Sequence, residues 1–384
     1  MKLVVFEDSA LASFGGGQKV TLALLESTPS QVEIYLVDTD GDSDFFQQSR
    51  NYCKSALNLN NRKNRFYGSG NNFSITSFTL ISMMLILPIQ VLKTYRFLRT
   101  HGLLTSSTIF YAPTKVGAVL ALLFSCITRG RFVFHAHNCF GGSTFSEKAF
   151  TKFVVNKAST VIAVSDYVKN SLPALSSVTR VYNPVTMRVP EIFEARQYQN
   201  RSLRVGTCCS LIEYKGVRVY LDAVRQISRS KFDIDAVVIG GGPLLEELRR
   251  EHGDHVTFVG QVSNVDAFFE HLDVLIVPSI EPDAFSLVIM EAMAKGVAVI
   301  ATDIGAHSEL INDFENGVLI PASSPSAIIE VLEMLSRDVE RLKSLCEHGH
   351  AFALEFSKRP FDEDVWSAIL GASGARRVTH GEVS

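Results

Sequence analysis

The sequence predicts an α/β protein whose strand–helix units are distributed over two domains. Two observations carry that prediction. Short continuous apolar runs rich in Val, Ile, Leu and Phe, the pattern of parallel strands buried on both faces, recur from residue 3 to residue 302 with helical segments between them. Between residues 186 and 200 the composition turns polar and charged and the periodicity stops, which marks a linker inside a 384-residue chain long enough for two or three cores. The expected domains are residues 1–185 and 201–358, followed by a last helix at 359–372 and a frayed polar tail at 373–384.

In chain order, residues 3–6 form a first buried strand, and FGGGQKV leads into a helix through Leu25. Glycines between a strand and a helix let backbone approach a ligand closely, so Gly16 and Gly17 are candidate binding residues, with a plain tight turn as the rival reading. Residues 32–37 give the second strand. The polar segment 41–72, with Arg62, Lys63 and Arg65 close together, reads as irregular. Residues 108–111, 116–126 and 132–135 then read as strand, helix and strand, the last ending in HAHN. Ligands of α/β sheets bind at the carboxyl ends of strands, which makes His137 a candidate beside the alternative of a structural histidine. A further strand at 161–165 and a helix behind it repeat the pattern. In the second domain, strands are expected at 204–208, 236–239, 256–260, 274–278 and 297–302, and amphipathic helices within 328–354.

Composition removes several classes. With 46 % hydrophobic residues the chain is globular, and a net charge of −3 gives no nucleic-acid signature. Cys53, Cys126, Cys139, Cys208, Cys209 and Cys346 lack paired metal spacing, and reduced thiols in a cytoplasmic protein are the simpler expectation. The first residues, MKLVVFEDSALASF, place an acidic pair where a signal peptide has its apolar stretch, which argues against secretion. Residues 79–91 are apolar but short for a span, contain Pro88 and precede Lys93, Arg96 and Arg99. A buried helix is the plain reading; a surface in peripheral contact with the inner face of a membrane is the sharper one.

The most informative stretch is 273–304, DVLIVPSIEPDAFSLVIMEAMAKGVAVIATDI, a strand, a helix over 285–295 closed by Gly296, and a strand. Glu291 lies among Leu287, Val288, Ile289, Met290, Ala292 and Met293, where an unpaired carboxylate costs several kcal/mol, roughly, if buried. It needs a partner. Asp283 precedes the helix, whose first amides, at Phe285, Ser286 and Leu287, favour an anion. The GGGP turn after residue 239 suggests a dinucleotide fingerprint, but Pro243 and LLEELRR supply neither its third glycine nor the acid further on.

This stretch resembles the donor-sugar motif of retaining glycosyltransferases of the GT-B fold, glycosyltransferase family 4 (group 1) in particular. Their pattern is an acid, seven residues and a Glu within "PS…E-x-F-G-L-x-x-x-E-A-M-A-x-G". Pro278, Ser279, Phe285, Leu287, Glu291, Ala292, Met293, Ala294 and Gly296 match; Asp283 stands for the first Glu and Ser286 for a Gly. Lys215 and Gly216 match the family's "K-G", while Ser210 replaces its Arg. Tyr182, Asn183 and Pro184 resemble the exit from its first domain, and GGGP, GAHSELI and NGVLIPASSPSAI its later turns.

The resemblance implies two Rossmann-like domains facing across a cleft, with the C-terminal helix crossing back to the first. It implies a metal-independent hexosyltransferase with no cofactor, moving a sugar from a nucleotide diphosphate sugar to a saccharide or polyprenyl-linked acceptor in bacterial surface polysaccharide synthesis. Asp283 and His137 would position the sugar, Lys215 and the amides of Phe285, Ser286 and Leu287 would hold the diphosphate, Glu291 the ribose, and Gly16 and Gly17 would line the cleft. The D-x-D pairs Asp38–Asp40 and Asp233–Asp235 are read as structural, not as metal sites. Two rivals share the nucleotide pocket: a nucleotide-sugar epimerase of the same fold, and an inactive sugar-nucleotide-binding subunit.

Overall fold

Strand β1 (Lys2–Glu7) buries every side chain except that of Lys2, as its unbroken LVVF run requires, and stands third in a seven-stranded sheet. The computed structural model describes residues 1–9, 15–39, 43–59, 77–140, 145–173, 178–193, 202–229, 234–262 and 264–371, with backbone alone at 77–86 and 145–147. The chain divides into two units, one made of residues 1–183 with those from Pro360 onward, the other of residues 184–359.

In the first unit β1 is followed by α1 (Gly16–Glu26), β2 (Glu33–Asp38), α2 (Asp44–Ser49), β3 (Ser55–Asn58), α3 (Ser77–Thr100), β4 (Thr108–Ala112), α4 (Lys115–Thr128), β5 (Arg131–Ala136), α5 (Phe145–Phe153), β6 (Thr160–Ala163), α6 (Asp166–Ser171) and β7 (Val178–Arg180). All pairings are parallel and the order is β3-β2-β1-β4-β5-β6-β7. The strand order reverses between β1 and β4, the point at which such sheets open a crevice at their carboxyl ends.

The second unit repeats the plan: β8 (Leu203–Cys208), α7 (Val217–Ile227), β9 (Ile234–Ile239), α8 (Leu245–His252), β10 (Thr257–Gly260), α9 (Asp266–Phe269), β11 (Val274–Val277), α10 (Leu287–Ala294), β12 (Ala298–Thr302), β13 (Val318–Ile320), α11 (Pro325–Arg337) and α12 (Val339–Ser357). Its sheet is also parallel, in the order β10-β9-β8-β11-β12-β13, and reverses between β8 and β11. Val205, Val238, Val274, Ile276 and Ile300 from its strands join Tyr220, Leu221, Leu332 and Leu342 from its helices in one core. A final helix, α13 (Phe361–Leu370), belongs to the first unit. There Trp366 Nε1 donates to Ser27 Oγ at 3.2 Å and Arg131 Nη1 to the Leu370 carbonyl at 2.8 Å.

The structure corrects the sequence reading in four places. Part of the segment 41–72 is regular: the Ser43 hydroxyl caps α2 by accepting from the Phe46 amide, and β3 pairs with β2. A four-residue edge strand of sequence SALN is too short and too polar to show a period. The apolar helix expected at 79–91 runs on to Thr100, with Pro88 inside it. Residues 186–193, read as linker, belong to the second unit, where Phe193 packs 5.4 Å from the His350 ring; 194–200 lie outside the described residues. Finally, α10 begins at Leu287, two residues later than expected, with Ser286 as its N-cap. Asp40, Asp233 and the tail at 373–384 also lie outside the described residues.

Candidate active site

The second sheet's reversal point brings two loops together, the one after β8 that ends in Lys215 and the one after β11 that holds Asp283. Gly216, at φ +66°, makes that approach possible: a Cβ there would sit 1.9 Å from the Pro278 carbonyl oxygen. The Ile280 amide donates to the Tyr214 carbonyl at 2.9 Å and clips the loops to each other. Lys215 Nζ then lies 2.5 Å from Asp283 Oδ1 and 5.3 Å from the centre of the Tyr214 ring.

Asp283 is held on its other oxygen as well. Ser279 Oγ donates to Oδ2 at 2.9 Å, and His307 Nε2 lies 3.2 Å from the same atom. His307 is fully buried, and its Nδ1 donates to the Thr302 carbonyl at 2.7 Å, which fixes the ring plane. The turn that delivers His307 is folded onto the Asp283 backbone: Ala306 N donates to the Asp283 carbonyl at 2.9 Å, and Gly305, at φ +63°, leaves room where a Cβ would come within 2.5 Å of that backbone. Burial on its own would raise the Asp283 pKa, but the Lys215 ammonium, helped by His307, outweighs it and holds the carboxyl well below its ordinary value. The same pairing raises Lys215 against the pull of burial. The result is a charged, positioned carboxylate at a sheet's carboxyl edge.

Glu291 lies on α10 and is buried at 4 % exposure. The partner its sequence context demands includes Thr186, whose hydroxyl donates to Oε1 at 2.8 Å from a segment more than a hundred residues away. Phe285 turns its ring onto Phe356, with centroids 6.0 Å apart. Ser286 and Leu287 are at the start of α10, as cap and first residue. Lys215 and Asp283 are therefore joined directly, while Glu291 is fixed through a separate contact.

Gly16, Gly17 and His137 stand in the first unit. Gly16 opens α1, and Gly17 faces His137 so closely that a Cβ on it would be 3.9 Å from the ring. His137 packs on His135, with centroids 4.1 Å apart, and His135 Nδ1 shares a hydrogen bond with the Tyr111 hydroxyl at 2.5 Å. Burial pushes the His137 pKa down to about 4 and that of His135 well below its usual range, so both rings are neutral near pH 7. Their Nε2 atoms have no hydrogen-bond partner among the described residues. Glu7, at the carboxyl end of β1, is buried with Thr21 Oγ1 donating to it at 2.9 Å, and burial pushes its pKa up to about 8.

Sequence reasoning missed His307, Thr186 and Glu7. His307 was legible only as part of GAHSELI, Thr186 lay in a stretch with no periodicity, and Glu7 ended an apolar run in which a single acid gave no pattern.

Two parallel sheets with this strand order define the class: a protein of two Rossmann-like domains. Residues 202–338, within the second unit, match the family described as glycosyl transferases group 1. Curated relatives include an uncharacterized glycosyltransferase of Methanocaldococcus jannaschii, 29 % identical over 54 % of this chain and 58 % of its own length. A phosphatidyl-myo-inositol mannosyltransferase of Mycobacterium leprae is 32 % identical over 46 % of this chain and 50 % of its own. A lipopolysaccharide core biosynthesis mannosyltransferase of Rhizobium meliloti is 28 % identical over 55 % and 66 %. The chain thus spans between half and two-thirds of these relatives. The Anabaena protein HepE, solved in complex with UDP and glucose, shares the fold with a TM-score of 0.74 at 18 % identity, over 96 % of this chain and 99 % of that one.

Proposed function

We propose that the chain transfers a hexose from a nucleotide diphosphate sugar to a saccharide or lipid-linked saccharide, with retention at the anomeric carbon, in the synthesis of a bacterial surface polysaccharide. The observation that carries this reading is the Lys215–Asp283 pair at the reversal point of the second sheet, with Asp283 braced on its far oxygen by Ser279 and His307. The mannosyltransferases among the relatives and the UDP and glucose bound by HepE support a nucleotide-sugar donor.

In this reading the bond from the anomeric carbon to the diphosphate breaks and negative charge develops on the departing phosphate oxygen. Lys215 and the amides at the start of α10 stabilise that charge. The acceptor hydroxyl adds to the anomeric carbon on the face the phosphate leaves, and its proton passes to that phosphate. Asp283 orients the sugar hydroxyls and stays ionised when Lys215 turns toward phosphate, because Ser279 and His307 remain on it. His307 is in this sense a positioning residue. Glu291 takes the ribose hydroxyls, and His137 with Gly16 and Gly17 is the first unit's contribution. The chemistry of Lys215 and the helix amides requires neither metal nor organic cofactor.

The test begins with a thermal-shift screen of UDP, GDP, dTDP and ADP on the purified chain, since a ligand that binds the native state raises its apparent stability. Transfer is then assayed with the sugar nucleotides of the base that binds. Loss of transfer in Lys215→Ala and in Glu291→Ala, with folding retained, supports the reading; normal turnover by either variant overturns it. Sugar interconversion without acceptor would indicate an epimerase.

A further inference from the structure

The basic residues of this chain are not evenly spread. Residues 45–146 contain eleven Lys or Arg and no Asp or Glu, although the whole chain has 37 basic and 40 acidic residues. The segment includes α3 and α4, which lie on one face of the first sheet. Phe97 of α3 meets Tyr35 of β2 edge-on at 6.5 Å, and Phe124 of α4 stacks on Phe6 of β1 at 6.4 Å. In the β1–β2 register Phe6 lies beside Val37, two residues on from Tyr35, so the two strand residues point to the same side.

On their outer side these helices leave large apolar side chains in solvent: Leu87, Ile89 and Leu92 on α3, and Val119, Leu123 and Ile127 on α4, at 38 to 57 % exposure. The α4 set follows i, i+4, i+8 and forms a single stripe. On α3, Ile89, Lys93 and Arg96 follow i, i+4, i+7, as do Leu92, Arg96 and Arg99, so cations and apolar groups share one surface. Lys93, Arg96 and Arg99 are exposed, and neither helix contains an acid to neutralise them. One exposed leucine is ordinary. Six large aliphatic residues over two helices of one sheet face, rimmed by cations, mark an interaction surface.

We propose that this face of the first unit docks on an anionic lipid bilayer. The helices would lie in the interfacial plane with the aliphatic side chains at the acyl boundary and Lys93, Arg96 and Arg99 at the lipid phosphates, their stems covering apolar surface on the way. A soluble polyanion would engage the cations and leave the six aliphatic side chains in water. The bilayer satisfies both. No residue of the candidate active site takes part, so the inference stands apart from the transfer reading and is tested without any sugar substrate.

The experiment is cosedimentation of the full-length chain with vesicles of phosphatidylcholine, with and without phosphatidylglycerol. Binding is expected to the anionic vesicles only, and to fall at about 1 M salt, where the Debye length is about 3 Å. The double variant Leu123→Glu, Ile127→Glu and the triple variant Lys93→Glu, Arg96→Glu, Arg99→Glu are each expected to lower the bound fraction roughly tenfold or more. Their side chains are in solvent, so an unchanged melting temperature shows that folding is intact. As a control, Arg337→Glu with Lys343→Glu in the second unit leaves binding unchanged. No binding to anionic vesicles at low salt overturns the proposal. So does binding that the aliphatic variants leave intact, which would assign the face to a soluble polyanion.

Discussion

The Lys215–Asp283 pair gives the most direct quantitative test of the site. Replacing Lys215 by Met leaves a carboxylate whose side chain is 10 % exposed without its lysine partner. Breaking a buried pair from one side costs about 3–5 kcal/mol, and because Ser279 and His307 still hold the far oxygen the expected loss is at the low end, about 3 kcal/mol. Asp283→Asn should cost a similar amount by stranding the lysine. The double variant removes both charges, so it should fall well short of the sum, with a coupling of about 2 kcal/mol. Urea unfolding of the full chain, followed by far-ultraviolet circular dichroism, reports the change in stability. The pH dependence has a definite sign. Asp283 is depressed in the folded state, so its contribution is present above its ordinary value of 3.8 and is lost as pH falls through the lower folded value. Wild type should therefore weaken below about pH 3.8 more steeply than Lys215→Met. Additivity of the two single variants within about 0.5 kcal/mol would refute the pairing as described.

Three further outcomes follow. His307→Leu, which keeps bulk and removes the ring nitrogen that faces Asp283, should lower kcat at least about tenfold, with donor KM little changed, while His307→Gln recovers part of the rate; equal activities for the two variants would make His307 a packing residue only. Thr186→Val should weaken nucleotide binding as measured by calorimetry, with Glu291→Ala weakening it more, because Thr186 fixes Oε1 of Glu291; identical affinities would detach Glu291 from the nucleotide. Glu7 holds its proton to about pH 8 in the folded state against 4.5 ordinarily, so the native state should lose stability as pH rises between those values, at about 1.4 kcal/mol per pH unit. Glu7→Gln should abolish that slope, with the fluorescence of Trp366, the chain's one tryptophan and buried in the same unit, as the readout; an unchanged slope would place the titration elsewhere.

By itself the sequence determined the repeating plan and the chemistry of the second domain. Short continuous apolar runs rich in Val and Ile between turn residues read as buried strands, so the strands from β8 to β12 stood out. Glu291 was found because a charge in an apolar helix is a local anomaly and Asp283 as the acid just before that helix, whereas Lys215 and Gly216 were found through their resemblance to a family motif. Tertiary structure decided what those residues touch. The brace on Asp283 comes from Lys215, Ser279 and His307, carried by three loops of one sheet edge, and the partner of Glu291 comes from Thr186. Hydrogen bonds between residues far apart in the chain leave no period and no composition signal behind them. The apolar stretch before Lys93, Arg96 and Arg99 was legible, but the stripe that α4 adds beside it was not: which side of α3 and α4 meets water is set by where Phe97 and Phe124 find the sheet, and only folding fixes that.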